Sequence, residues 1–457
     1  MRIPAFFLAC SIVPAVLHAH VNGTPAGYAG APSDHNGATC ANCHTGGPPV
    51  NSAGRFSLSV SNFSPGVQQN ISVQINDTQG RLFAFQLTAR LASDPTKPGG
   101  TFSPTPGQTQ VLCANGQTAP CGSGVQYVTN LPAAAQPLTP GTRTFTIIWN
   151  PPGRDVGAVL FYVSAIAANN DGTATGDHLY GASGQQASAA PCSLTGIPAF
   201  NSQRAVEDAA AFRNTIASNG LITLNGSGFF AAGAPPYVAN LSDLDNNGNW
   251  PTELGCVSVM VNETPAPIYY VSAHQINAQA ISFPNSEGAG VQVILNPGTA
   301  NQIKGPVYVV PAVPLSPELF TFGPAGTGNA AAFNVTKNGY LADTSEVPSG
   351  VSAAPGDIIE LFGTGFGGTN PSYLPGQFAL TQAPIVSSFS ITIGGVKVPS
   401  GNISYIGLAP DPTRQGNAPG LYTIVMRLPS VPDGDQPVTV TVGNSSTQSG
   451  VTIPVRR

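Results

Sequence analysis

The sequence predicts an all-β chain of tandem β-sandwiches, and three observations carry that prediction. Only 8% of the 457 residues are charged while 41% are apolar, too many for a disordered polymer. Gly (53) and Pro (44) recur at close intervals and cut the chain into strand-length runs. Long amphipathic helical patterns do not occur; Arg204 to Asn214 is the one stretch that reads as a helical turn or two. Past a leader, the length divides into about three domains of 100–170 residues.

Met1 to Ala19 reads as an export signal: an early Arg2, an apolar run from Ile3 to Leu17, and Leu17-His18-Ala19 as cleavage site. The run is too short to span a bilayer, and no later segment approaches eighteen uninterrupted apolar residues.

Immediately downstream stands Cys40-Ala41-Asn42-Cys43-His44, the C-x-x-C-H pattern of c-type haem attachment. Two thiols at this spacing can each form a thioether with a haem vinyl group, and the adjacent imidazole then reaches the iron. Zinc would need two further ligands close by, and no second C-x-x-C or H-x-x-x-H exists. A thioredoxin-like dithiol would open a helix in a βαβ pattern, which the Gly/Pro-rich surroundings do not support. The remaining alternative is a simple Cys40–Cys43 disulfide.

The first sandwich is expected over residues 20–190, with the attachment segment at 20–50. Its strand-like runs are Arg55 to Val60, Ile71 to Ile75, Leu82 to Arg90, Phe145 to Trp149 and Ala158 to Ala165. Leu82 to Ala89 is apolar at nearly every position, as expected of a central strand covered on both faces. Asn150-Pro151-Pro152 is a hard strand stop, and the small, polar Gly181 to Ala190 reads as an interdomain linker. Export lets the other cysteines pair. Cys113 and Cys121 flank a turn-rich loop, which leaves Cys192 for Cys256; proximity alone selects this among three connectivities.

The remainder reads as a diverged tandem repeat, placed at 193–314 and 315–457. Ile222-Thr223-Leu224-Asn225-Gly226-Ser227-Gly228-Phe229 matches Ile359-Glu360-Leu361-Phe362-Gly363-Thr364-Gly365-Phe366, and Val257 to Asn262 echoes Phe389 to Gly394. The glycines of G-x-G-F allow a sharp bend and the Phe can plug a core. No Lys follows and no helix opens there, so these are not phosphate loops. Repeats of this size are immunoglobulin-like modules. Within the first of them, Asp243, Asp245, Asn247 and Gly248 follow the start of a calcium loop, but Leu254 holds position twelve where a Glu is needed, so an acidic surface turn is expected instead of calcium.

Two resemblances cover nearly the whole mature chain. Gly23 to Pro32 leading into Cys40 to Gly46, then Trp149-Asn150-Pro151-Pro152, Phe161-Tyr162, Ala167-Ala168-Asn169 and Gly176 to Tyr180, make the first region resemble bacterial reeler-like exported domains of the choice-of-anchor V type. Several of those carry a cytochrome-type motif at their start. Thr252 to Gly255, Gln275 to Gln279, Ser316 to Thr321, Gly356 to Gly367, Gly407 to Pro410 and Gly420 to Tyr422 make the second region resemble the Ig/TIG-like C-terminal domain of secreted acidobacterial proteins. Neither resemblance implies catalysis; the second implies export and a scaffold or surface role. Cys256 stands where that family has Gly, which marks its disulfide as special to this sequence.

With haem bound, His44 is the proximal ligand and Cys40 and Cys43 the covalent anchors. Met260 and Met426 lie in strand patterns of the later domains, leaving His20, His35 and His178 as candidates for the sixth position, of which His178 is favoured. Because the chain lacks the helices that wrap haem in ordinary cytochromes c, the group is expected in a loop-lined groove beside a sheet. The sequence has no G-x-S-x-G, H-E-x-x-H or P-loop, and 21 Asp plus Glu nominate no catalytic pair. A net charge of −5 gives no basic face for nucleic acid or membranes. The reading is an exported mono-haem protein for electron transfer with an unidentified redox partner; the rival is a structural or adhesive surface protein.

Overall fold

A computed structural model describes residues 24–45 and 55–457, apart from 123, 202, 203, 246, 324, 325, 415 and 416. The leader and His20 lie outside the described residues. Among those described there is no α-helix; every layer is built of strands.

The first sandwich has nine: β1 (Phe56–Ser59), β2 (Gln69–Asn76), β3 (Leu82–Leu91), β4 (Thr101–Ser103), β5 (Thr109–Cys113), β6 (Gln126–Asn130), β7 (Thr142–Asn150), β8 (Val159–Ala168) and β9 (His178–Ala187). One sheet runs β1-β2-β7-β4 and the other β5-β6-β3-β8-β9. On β7 the residues Phe145, Ile147 and Trp149 point inward while their neighbours reach solvent, the alternation of a sheet covered on one face. They meet Phe85 and Phe161 of the opposite sheet, with ring centroids 4.8 Å apart for Phe85–Phe145 and for Trp149–Phe161. The buried Trp149 indole donates to the Gly99 carbonyl (3.0 Å), so its one polar atom is satisfied.

β3 differs. Phe83, Phe85 and Leu87 face the core, yet Gln86, Thr88 and Arg90 on its other face are buried too. The segment from Thr24 to Thr45 lies over that face, the double covering that its near-continuous apolar run predicts.

Two expectations need correction. Gly181 to Ala190 is no linker: residues through Ala187 belong to β9, paired with β8 from Val159↔Ala187 to Ala167↔His178. As an edge strand it has a neighbour on one side only, so small polar residues suffice and no apolar signature is required. Arg204 to Asn214 is not helical either. Val206–Asp208 pairs with Leu221–Ser227, and Asp208 then caps a turn, its carboxylate accepting from the backbone N–H groups of Ala210, Ala211 and Arg213 at 2.6–2.9 Å.

The matched repeat halves take matching places in two further sandwiches. Leu221–Ser227 and Ile358–Thr364 are the G-x-G strands, while Val257–Val261 and Phe389–Ile393 lie in the facing sheets. Phe229 and Phe366 are fully buried plugs. The first glycine of each motif is sterically required: a Cβ on Gly226 would sit 2.2 Å from the Ala199 carbonyl, and one on Gly363 2.5 Å from that of Glu318. Disulfides join Cys113 to Cys121 and Cys192 to Cys256, the connectivity expected, and Cys256 takes φ +63°, a conformation that favours glycine.

Asp243 is not on a surface turn. It is wholly buried where the first two sandwiches meet, accepting from the N–H of Gly153 (2.5 Å) and the hydroxyl of Tyr237 (3.0 Å), while Arg154 donates to its carbonyl (2.6 Å). Asp245 instead caps its own loop through the N–H groups of Asn247 and Asn249, both 2.8 Å. Among the described residues no three His, Cys, Asp or Glu side chains group as a metal site. The second and third sandwiches dock through Trp250, stacked on Tyr269 and edge-on to Phe378, and through the Arg213–Glu318 ion pair at 2.7 Å.

Candidate functional site

Cys40, Cys43 and His44 stand at i, i+3 and i+4, a spacing that brings three side chains to one side of a helical turn. The backbone makes that turn as a short 3₁₀ segment, Cys40–Asn42, with the N–H of His44 donating to the Cys40 carbonyl at 2.9 Å. Its start is capped reciprocally: the Thr39 hydroxyl accepts from Ala41 N–H (3.2 Å) and the Asn42 side chain accepts from Thr39 N–H (2.8 Å).

A row of buried polar side chains on the outer face of β3 and β8 fixes this segment in place. Gln86 accepts from Tyr28 N–H (2.6 Å) and donates to the Pro25 carbonyl (2.7 Å). Ser164 accepts from Cys40 N–H (2.9 Å). Arg90, with no solvent exposure, forms an ion pair with Asp34 and also donates to Thr88 and Tyr127.

Downstream, Thr45 bridges to Thr175 in parallel, its N–H donating to Ala174 and its carbonyl accepting from Gly176. That bridge sets His44 beside Asp177, 2.7 Å from Nδ1 to a carboxylate oxygen. Asp177 is 1% exposed, and its other oxygen accepts from Asn169 N–H at 3.0 Å.

The two thiols differ in setting. Cys40 is buried against Ile166 and Leu179, and burial pushes its pKa up to about 11. That is opposite to the depressed thiol of a redox C-x-x-C motif. Cys43 is partly exposed, and neither cysteine is disulfide-bonded.

All three motif residues open into one groove. Its walls are Pro25, Tyr28 and Thr39 of the N-terminal segment, Leu82 and Ala84 of β3, Ile166 and Ala168 of β8, and Ala174. The exposed lining of the groove is predominantly apolar, the character of sites that hold small-molecule cofactors. Two thiols, an imidazole whose Nε2 has no hydrogen-bond partner among the described residues and an apolar slot form a donor set that fits a covalently attached haem.

His178 does not join them. On β9 it pairs with Ala167 of β8 and faces the sandwich interior, where Nδ1 is bonded to Asp77 and Tyr180 donates to the same carboxylate (2.6 Å). His44 lies against the outer face, so the sheet separates the two rings, and His178 is not placed to be the sixth ligand. His35 is exposed and stacks on Tyr28 at 5.4 Å, behind the groove wall. Met426 is buried in the third sandwich and Met260 lies in the second. Sequence reasoning missed Asp177, Gln86, Arg90 and Ser164. The segment Gly176-Asp177-His178 carries the signal, but in a strand one position decides the face, and it is Asp177 that reaches His44.

No family model matches this chain, and no curated protein matches it. Among solved structures it is similar to the human F-spondin reeler domain, 16% identical over 32% of this chain and 94% of that one, with a TM-score of 0.22. A second fragment of that human domain is 18% identical over 30% and 94%, with a TM-score of 0.19. The C-terminal domain of the Streptococcus pyogenes antigen I/II-family protein AspA is 10% identical over 57% and 95%, with a TM-score of 0.17. The β-sandwich architecture itself rests on the strand pairing and the buried cores. Two disulfides fit an oxidising compartment outside the cytoplasm, and no described helix is long and apolar enough to cross a membrane.

Proposed function

We propose that this chain is an exported single-haem c-type protein, with haem bonded through Cys40 and Cys43 in a reeler-like first sandwich and serving electron transfer. The observation that carries this reading is the convergence of both thiols and His44 on one apolar groove. When bound, the haem supplies a one-electron iron couple. The chain's residues do the rest. Thr39 and Asn42 hold the turn that presents the thiols, Gln86, Ser164 and Arg90 clamp the segment onto the sheet, and Leu82, Ala84, Ile166 and Ala168 keep water from the groove floor. His44 offers a ring nitrogen as axial ligand. The second and third sandwiches, joined by the Trp250 contacts and the Arg213–Glu318 pair, act as scaffold or docking surface for an unidentified partner.

The test is a pyridine haemochrome spectrum, with intact mass, on protein secreted from a host that has haem-attachment machinery. A covalent-haem band and a mass increase of one haem are expected. A mass showing only a Cys40–Cys43 disulfide would replace this reading with that of a structural or adhesive surface protein.

A further inference from the structure

Histidine binds a metal through a ring nitrogen that carries no hydrogen, so the tautomer of His44 decides whether it can serve. The described surroundings of its ring offer one strong partner, the buried carboxylate of Asp177, 2.7 Å from Nδ1. A carboxylate only accepts, so this contact requires the hydrogen on Nδ1 and, in the neutral ring, leaves Nε2 bare. Asp177 is itself fixed: Asn169 N–H occupies its second oxygen, and the Thr45–Thr175 bridge locks the two loops together.

We infer that Asp177 is the positioning residue of this site, holding His44 as the Nδ1–H tautomer with Nε2 free for iron, and strengthening that nitrogen as a donor. The inference rests on the haem reading for its purpose and on the hydrogen-bond geometry for its content. A charged acceptor behind an imidazole raises its basicity, which favours ferric over ferrous iron and lowers the reduction potential.

Asp177→Asn is a sharp test because the direction of the amide is dictated. Asn169 N–H needs an oxygen, so the new –NH₂ falls opposite His44 Nδ1 and donates to it, which drives the hydrogen to Nε2. Loss of such a partner weakens metal binding about 10–100-fold. If that loss falls on the ferric form, at about 59 mV per tenfold it corresponds to a rise of roughly 60–120 mV in midpoint potential.

The experiment has two arms. Long-range ¹H–¹⁵N correlation on the full haem-free chain, at mildly alkaline pH, reads the His44 tautomer directly. Wild type is expected to show Nδ1–H, and Asp177→Asn to show Nε2–H. Redox titration of the haem-loaded forms is expected to give the rise in potential. Asp77→Asn, which removes an equally buried carboxylate on the opposite face, controls for general damage and should move neither reading. An Nε2–H His44 in wild type overturns the inference, as does an Asp177→Asn protein with unchanged tautomer and potential. The expected tautomers in a chain that never acquires haem would defeat the haem reading and leave the positioning of His44 standing.

Discussion

Asp177 and His178 are consecutive residues that complete two carboxylate–imidazole pairs on opposite faces of one sheet. Asp177 reaches outward to His44, and His178 reaches inward to Asp77. Strand geometry alone separates them, since successive side chains point to opposite faces. The outward pair borders the apolar groove; the inward one closes an end of the core beside Tyr180, which stacks on Phe56 at 6.2 Å.

His178→Ala is therefore expected to leave the spectrum and spin state of the haem-loaded protein unchanged while lowering stability. Asp77 would keep the Tyr180 hydroxyl and the Gln79 N–H but lose one partner, a cost of about 1–3 kcal/mol. Optical spectra and urea unfolding measure the two effects. Conversion to high-spin iron would show that His178 ligates after all.

Asp34→Ala should release the segment that carries the motif. Arg90 has no solvent exposure, and among the described residues its Nε has no hydrogen-bond partner, so removing Asp34 strands a buried charge. Breaking a buried pair in this way costs about 3–5 kcal/mol. Hydrogen exchange should rise at Gly30, whose N–H is bonded to Ala38, and at Cys40, whose N–H is bonded to Ser164. Unchanged exchange at both would mean the segment is held by apolar contact alone.

The contrast between these two pairs shows what a sequence discloses. The C-x-x-C-H turn was legible because its chemistry is contiguous, and the G-x-G-F repeats because each keeps its glycines and its plug in one short string. β3, β7 and β8 announced themselves through apolar runs dense enough to need covering. β9 did not, since an edge strand of small residues lacks that demand. Asp177 lies 133 residues from His44, and only the fold brings them together. Arg90 sits in a strand that is apolar at most positions, and nothing local reveals that Asp34 waits above it.

Replacing both Cys192 and Cys256 by Ala should destabilise the second sandwich. A cross-link spanning 64 residues restricts the unfolded chain by about 4 kcal/mol in the chain-entropy account. The Cys113–Cys121 link spans 8 residues, so its removal should cost less. Urea midpoints of the two double variants give the ranking, and the reverse order would show that local strain outweighs loop length.

Buried carboxylates at the two joints between sandwiches make stability fall as pH rises through the mildly acidic range. Burial lifts the Asp243 pKa to about 6, outweighing hydrogen bonds from Asn240, Gly153 and Tyr237. For Glu318, burial and the neighbouring Asp208 outweigh Arg213 and lift the pKa to about 7. A raised folded-state pKa means that the folded chain binds the proton more tightly. The contribution is thus complete below the ordinary value of 3.8 for Asp243 and 4.5 for Glu318, and is lost as pH climbs through about 6 and 7. For the fully buried Asp243 the loss amounts to roughly 3 kcal/mol. Asp77 and Asp357 are shifted downward instead, so their effects fall at lower pH and do not mask this window. Urea unfolding of wild type between about pH 4 and 7 should show a declining midpoint, and Asp243→Asn should flatten the lower part of the decline. A wild-type midpoint that rises over this range would mean that Asp243 is ionised at the joint, with Arg154 and the donated hydrogen bonds dominating its burial.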